Sequence, residues 1–293
     1  MRFVPTYRPR ASALHSARAG VAAAFCGSLA FAGALYQHPL VLGAALLAIG
    51  LAAAGAGVAR EVRSAAWVAL SFALLVSVIN PLVYQEGDTL LVRGGEVLGR
   101  RFDITLEATV AGALAGVRVV VIILALWLMS VAVDPDALLR LFRRISYRSA
   151  LTASLATRLV PVLARDASRM SDAARCRPRP AGRLAVARSA LAGALDRSVD
   201  LAAALELRGY ALAGRPAPRR VPWSRHDARL AAAAVGIAAL TVAGRVAGVA
   251  SVEAYPELSI ELGAPELALA AAIVLLAAAP FAGRAARMGV AGA

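Results

Sequence analysis

Six apolar runs of bilayer length dominate this chain of 293 residues and leave it few ways to fold. A helix needs about 20 mostly apolar residues to cross a membrane. In lipid, every backbone N–H and C=O must find its partner within the helix or barrel. The runs are Ala19–Tyr36, Pro39–Ala59, Ser64–Val83, Ala108–Val133, Leu230–Val252 and Pro265–Gly283. Hydrophobic residues make up 60% of the chain and charged residues 17%, against about 45–50% and about 25% in a soluble domain. The expected fold is an all-α polytopic membrane bundle of about six spans; a soluble or disordered chain does not fit. Arg2, Arg8, Arg10 and Arg18 before the first run give it the look of a signal peptide. Its apolar stretch, however, exceeds the usual length of about 7–15 residues, and more spans follow at once. A retained span is expected.

Between the fourth and fifth runs lies a polar stretch, residues 134–229, with no run long enough to span. The expected division is a membrane bundle over 1–133, a cytoplasmic segment over 134–229, and two further spans over 230–293. Arg placement sets the orientation. The 134–229 segment holds 19 Arg against eight acids, whereas residues 84–107 carry three Arg against five acids. Residues 253–266 carry no Arg and four acids, Glu253, Glu257, Glu261 and Glu266. Both termini are therefore expected in the cytoplasm of a multi-pass cell-membrane protein.

All 32 basic residues are Arg. Without Lys there is no Walker-A loop and no Schiff-base nucleophile. His15, His38 and His226 are far apart, and Cys26 and Cys176 stand alone, so neither a zinc site nor a disulfide framework is read. No catalytic residue, metal site or cofactor is assigned, and the chain is expected to hydrolyse nothing itself.

Two features within the spans stand out. Gly43, Gly50, Gly55 and Gly57 crowd the second run; small residues let helices approach closely in lipid. Bundle packing is the simpler reading, and a sliding surface for another membrane protein the sharper one. Arg118 lies deep in the fourth run, about 15 Å from its start at a rise of about 1.5 Å per residue. A charge at that depth faces protein or water, so backbone carbonyls or a partner subunit would hold it. Arg245 lies nearer the surface, where it can snorkel.

Within the polar stretch, Asp134 and Pro135 suit the N-cap and first position of a short amphipathic helix. A second helix reads from about Ser149 to Arg175, with Leu151, Leu155, Leu159, Met170 and Ala174 at helical spacing and a kink expected at Pro161. A third reads from about Gly182 to Arg208, with Leu184, Leu191, Leu195 and Val199 as its stripe. Arg197 and Asp200 form an i, i+3 pair on it. Gly209 is placed as its C′ residue, and a Pro/Arg linker runs from Gly214 to Trp223. Both long helices thus end in an Arg, within Ala174-Arg175-Cys176 and Leu207-Arg208-Gly209-Tyr210. An Arg at a helix break projects a fork of donors, which suits an acidic or carbonyl-lined groove on a partner. Dipole complementation or contact with anionic lipid is the plainer account.

This arrangement resembles the transmembrane T component of energy-coupling factor transporters, a cobalt-transport-permease-like family of ATP-driven importers of vitamins and transition-metal ions. The similarity runs from about residue 13 to 225. It rests on Leu14-His15 and Arg18 before the first span, Asn80-Pro81-Leu82 after the third, and Arg118 within the fourth. Val133-Asp134-Pro135 follows, then Arg158-Leu159-Val160-Pro161 in the next helix. Most specific are the two short Ala-Arg-Gly-like motifs, with Cys176 in place of Gly in the first. The resemblance implies that Ala174, Arg175, Cys176, Leu207, Arg208 and Gly209 couple the chain to two ATP-binding subunits. It also implies a small substrate-binding membrane subunit that chooses the cargo. A sixth span goes beyond the five-span members. The competing reading is a stand-alone secondary transporter, but no paired interrupted spans or intramembrane acids support it. The Arg-rich segment could also neutralise nucleic-acid phosphates, yet it lacks stacking aromatics and any reading motif, so no nucleic-acid partner is assigned.

Overall fold

The computed structural model describes residues 7, 10, 12–83, 89–97, 100–142, 147–178, 182–209, 223–250, 252–253, 259–260 and 263–288. Helices come first as α1 (Ala13–Ser16), α2 (Ala19–Leu35), α3 (Pro39–Gly55) and α4 (Ala59–Val83). A hairpin, β1 (Leu90–Val97) with β2 (Arg100–Thr105), leads into α5 (Leu106–Ala132). Then follow α6 (Pro135–Phe142), α7 (Tyr147–Arg175), α8 (Arg183–Leu207) and α9 (Arg225–Val246). A two-residue pair, β3 (Val252–Glu253) with β4 (Ser259–Ile260), precedes α10 (Ala264–Met288). Each of the six expected spans is helical over most of its length, but the fifth, expected to reach Val252, ends its helix at Val246, and Val252 lies in β3. The strand pairs are additions to the all-α expectation.

Four helices, α4, α5, α9 and α10, are long and apolar enough to cross a membrane; α2 and α3 are apolar helices of 17 residues each. Seventeen residues reach about 26 Å, at the short end of the spanning range. The chain is a multi-pass membrane protein with a helical bundle fold. It divides into two compact units, Met1–Leu138 with Trp223–Ala293, and Leu139–Pro222.

In the first unit, α2 is central and packs along α5 and α9. Phe25, Leu29, Leu42, Ile49, Val121, Leu128, Leu230 and Ile237, from α2, α3, α5 and α9, form one core and are essentially inaccessible. Trp67, Leu70, Leu74, Leu75 and Val78 on α4 are exposed; on a membrane-spanning helix such a face meets acyl chains.

Among the described glycines, those set directly against a neighbouring helix backbone are Gly112 and Gly116 of α5, facing α4, rather than those of the Gly-rich second run. A methyl group at Gly116 would sit 2.8 Å from the Ala73 carbonyl oxygen, and one at Gly112 would sit 2.9 Å from that of Ser77. The Ser77 hydroxyl donates to the Gly112 carbonyl at 3.1 Å. Gly43 and Gly50 have open space where a Cβ would point, and Gly55 faces the Phe281 ring. Gly57 serves a turn: its φ of +71° closes α3, and Val58 N–H donates back to the Ala53 carbonyl at 2.9 Å.

In the second unit α7 and α8 pack together. The Arg197 guanidinium meets Asp166 of α7 at 2.8 Å, rather than the Asp200 expected on its own helix. Gly193 faces Met170. Positions 166 and 170 thus match 197 and 193, so the helices run antiparallel where they meet. α7 continues as one helix through Pro161.

Candidate functional site

The two Arg motifs close α7 and α8. α7 ends at Arg175, with Ala174 buried and Arg175 and Cys176 exposed. α8 ends at Leu207, with Arg208 as its C-cap. Gly209 takes φ +74° and donates its N–H to the Glu206 carbonyl at 2.9 Å. That left-handed residue is what glycine supplies at C′ without steric cost. Both Arg208 and the 91%-exposed Leu207 project from this break. Tyr210 and the linker up to residue 222 lie outside the described residues.

The structure does not bring the two motifs together. From the Asp166–Arg197 contact, Arg175 lies nine residues along α7 and Arg208 eleven residues along α8. The helices diverge from that contact in opposite senses, so about 30 Å of helix separates the two Arg at a rise of about 1.5 Å per residue. Along α8, Leu184, Leu191, Leu195 and Val199 are all about two-thirds exposed, the last three between the levels of the two Arg. The apolar stripe expected from the periodicity is present, and it is exposed among the described residues.

Arg118 lies in the first unit. Its Nε donates to the Gly33 carbonyl at 3.2 Å, in the last turn of α2. A backbone carbonyl, one of the two kinds of partner expected for Arg118, is within reach of its guanidinium. A cation there meets the negative end of the α2 dipole. Gly33 stands about 21 Å along α2 from Ala19 at a rise of about 1.5 Å per residue. Gly33 also lacks room for a side chain, because Val121 occupies that space.

The end of the bundle where α1 lies holds a cluster that the sequence reading passed over. The Ser224 hydroxyl accepts from Asp227 N–H at 3.0 Å, and the Asp227 carboxylate accepts from Ser224 N–H at 3.2 Å, forming a capping box. The same carboxylate accepts from Arg18 N–H at 2.9 Å and lies 3.7 Å from the Arg18 guanidinium. Asp227 thereby serves the N-termini of α2 and α9 together, and its side chain is only 7% exposed. The His226 Nε2–H donates to the Ala13 carbonyl at 2.7 Å. Arg10 bonds to both the Gly57 carbonyl and Glu61. The Ser-x-x-Asp spacing at 224–227 is a readable helix-start signal, but the fifth run was read from its apolar residues and begins at Leu230.

His15 sits beside Ser12, its Nδ1 at 2.6 Å from the hydroxyl. Burial, with Arg10 adding to it, holds its imidazole below the usual histidine range, while the Val131 carbonyl works the other way. His15, Leu14, Ala17, Ala132, Val133, Asp134 and Ala137 are among the residues around a cavity of about 130 Å³. Among the described residues no three His, Cys, Asp or Glu side chains converge.

No curated protein matches the chain. The cobalt transport protein family, CbiQ, matches residues 10–218. That range takes in α1 through α8: four apolar helices, the α1 segment and both Arg-ended helices. With more than half of its length matched, the chain belongs to the CbiQ cobalt transport protein family and is a membrane component of transport.

Proposed function

We propose that this chain is the non-catalytic transmembrane coupling subunit of an energy-coupling-factor-type importer. In this reading Arg175 and Arg208 each dock in a groove of one of two ATP-binding subunits. Movement of those subunits passes through α7 and α8 to a small membrane subunit that holds a transition-metal ion or vitamin. The cytoplasm holds both termini and residues 134–229, as the Arg excess there favours. One observation carries the reading: two exposed Arg end two antiparallel helices, separated by about 30 Å of helix. Such a spacing serves two separate docking partners rather than one bidentate grip. The stripe from Leu184 to Val199, exposed among the described residues, supports it, since an amphipathic helix gains stability by burying its apolar face.

The test is a pull-down of tagged protein from membranes in mild detergent, comparing wild type with Arg175→Ala/Arg208→Ala. Two ATP-binding subunits and a small membrane protein are expected with wild type, and loss of the ATP-binding subunits with the variant. Wild type recovered alone would overturn the reading.

A further inference from the structure

α8 meets α7 through a face that offers little grip. Ala190, Gly193, Ala194, Arg197 and Leu201 share that face by helical spacing and are partly buried. A methyl group at Gly193 would touch only the Met170 methyl, at 3.9 Å. Apolar contact is non-directional, and small side chains make shallow ridges, so such a face tolerates a slip along the helix axis. The Asp166–Arg197 contact is different. It joins a carboxylate of α7 to a guanidinium of α8 at 2.8 Å, and a charge-assisted bond of that length is directional. Arg169 lies 3.8 Å from the same carboxylate. Of the two acids of α7, Asp172 is exposed, and Asp166, its side chain 23% exposed, is the one that meets α8. A slip of one turn, about 5.4 Å, would carry Arg197 away and leave a partly buried carboxylate without its closest cation, which is costly for a charge. The pair is partly open to water, so it adds little to the stability of the unit. Its effect is to select one register among several.

Resting on the coupling reading above, we propose that Asp166 and Arg197 are positioning residues. Their pairing fixes the register of α7 against α8, and thereby the spacing at which Arg175 and Arg208 are offered to two ATP-binding subunits. The two docking Arg lie on opposite sides of the contact, one on each helix. Each turn of slip changes their separation along the helix axes by about 5.4 Å, more than a hydrogen bond can stretch. A slipped unit seats one Arg and misplaces the other.

The test joins a distance to a transport measurement. Nitroxide labels on Cys176 and on a cysteine introduced by Ala204→Cys, both exposed positions, give the separation in the full chain in lipid vesicles by electron–electron double resonance. Cys26 is buried and stays unlabelled. One narrow distance is expected with Asp166 and Arg197 intact. Asp166→Asn and Arg197→Gln are each expected to add a second distance shifted by about 5 Å, one helical turn, at unchanged helix content. Arg197→Lys, which keeps the charge, should return the single distance. Transport is measured on the full complex in vesicles, with cobalt ions as the probe. Asp166→Asn and Arg197→Gln should keep ATP hydrolysis while losing about fivefold of the uptake per ATP, and the double variant should lose no more than either alone. Arg197→Lys should recover the uptake. If Asp166→Asn loses helix content, Arg197→Gln decides, because it changes a side chain that is 40% exposed. A single unchanged distance in the neutral variants overturns the register role, and a second distance with undiminished uptake per ATP overturns the positioning role; either leaves the coupling reading standing. Absence of ATP-binding subunits from wild type overturns both.

Discussion

Arg118 is held within an apolar helix by a carbonyl of its neighbour. The Gly33 oxygen lies in the last turn of α2, where the final carbonyls of a helix lack intrahelical donors. The guanidinium supplies one at 3.2 Å. Removing it strands an acceptor away from water, at a cost of about 1–3 kcal/mol. Arg118→Met is therefore expected to keep the fold but melt earlier in mild detergent; an unchanged Tm would contradict this account. The acids of the bundle follow the same economy of place. Glu61, Glu107, Asp227 and Glu266 all stand in the first turn of a helix, where a negative charge meets the positive end of the dipole. Their presence near the spans was plain in the sequence. Their partners were not, because Asp227 is answered by Arg18 from 209 residues away, and no local spacing reports such a contact.

Periodicity made the helices legible. The readings of Ser149–Arg175 and Gly182–Arg208 correspond to α7 at Tyr147–Arg175 and α8 at Arg183–Leu207, since Pro178, Gly182 and Gly209 punctuate the chain there. Glycine content was a poorer guide. It pointed to the second run, whereas backbone contact occurs where Gly112 and Gly116 of α5 meet Ala73 and Ser77 of α4. A glycine count does not say which face a residue occupies. The difference can be measured. At Gly116 a side chain would press on backbone, which cannot turn aside, so Gly116→Leu should destabilise the α4–α5 pair by at least the about 1–3 kcal/mol typical of overpacking. At Gly50 nothing lies within 4 Å, and Gly50→Ala should be neutral or gain up to about 1 kcal/mol from helix propensity. Thermal unfolding of both variants in the same detergent checks the contrast; equal losses would contradict it.

For the whole molecule, six apolar runs and one Arg-rich interval were enough to foresee a helical membrane bundle interrupted by a polar helical unit. The strand pairs are not legible in the sequence, because the stretches that form them are short, charged and without strict alternation. The two cysteines offer a direct reading of how the proposed arrangement stands in a membrane. Cys26 is buried among the bundle helices and Cys176 is exposed beside Arg175. A membrane-impermeant maleimide should label Cys176 in inside-out vesicles, leave Cys26 untouched, and react more slowly with Cys176 when ATP-binding subunits are docked. Labelling of Cys176 from the outside would reverse the proposed orientation.

The central claim is that this chain transmits work done by other subunits and moves no cargo by itself. Cobalt uptake into sealed vesicles tests it most directly, with the complete complex, the complex bearing Arg175→Ala/Arg208→Ala, and the chain alone, each with and without ATP. The account predicts uptake only by the complete wild-type complex and only with ATP. Uptake by the chain alone without ATP, or full uptake by the double variant, would contradict it.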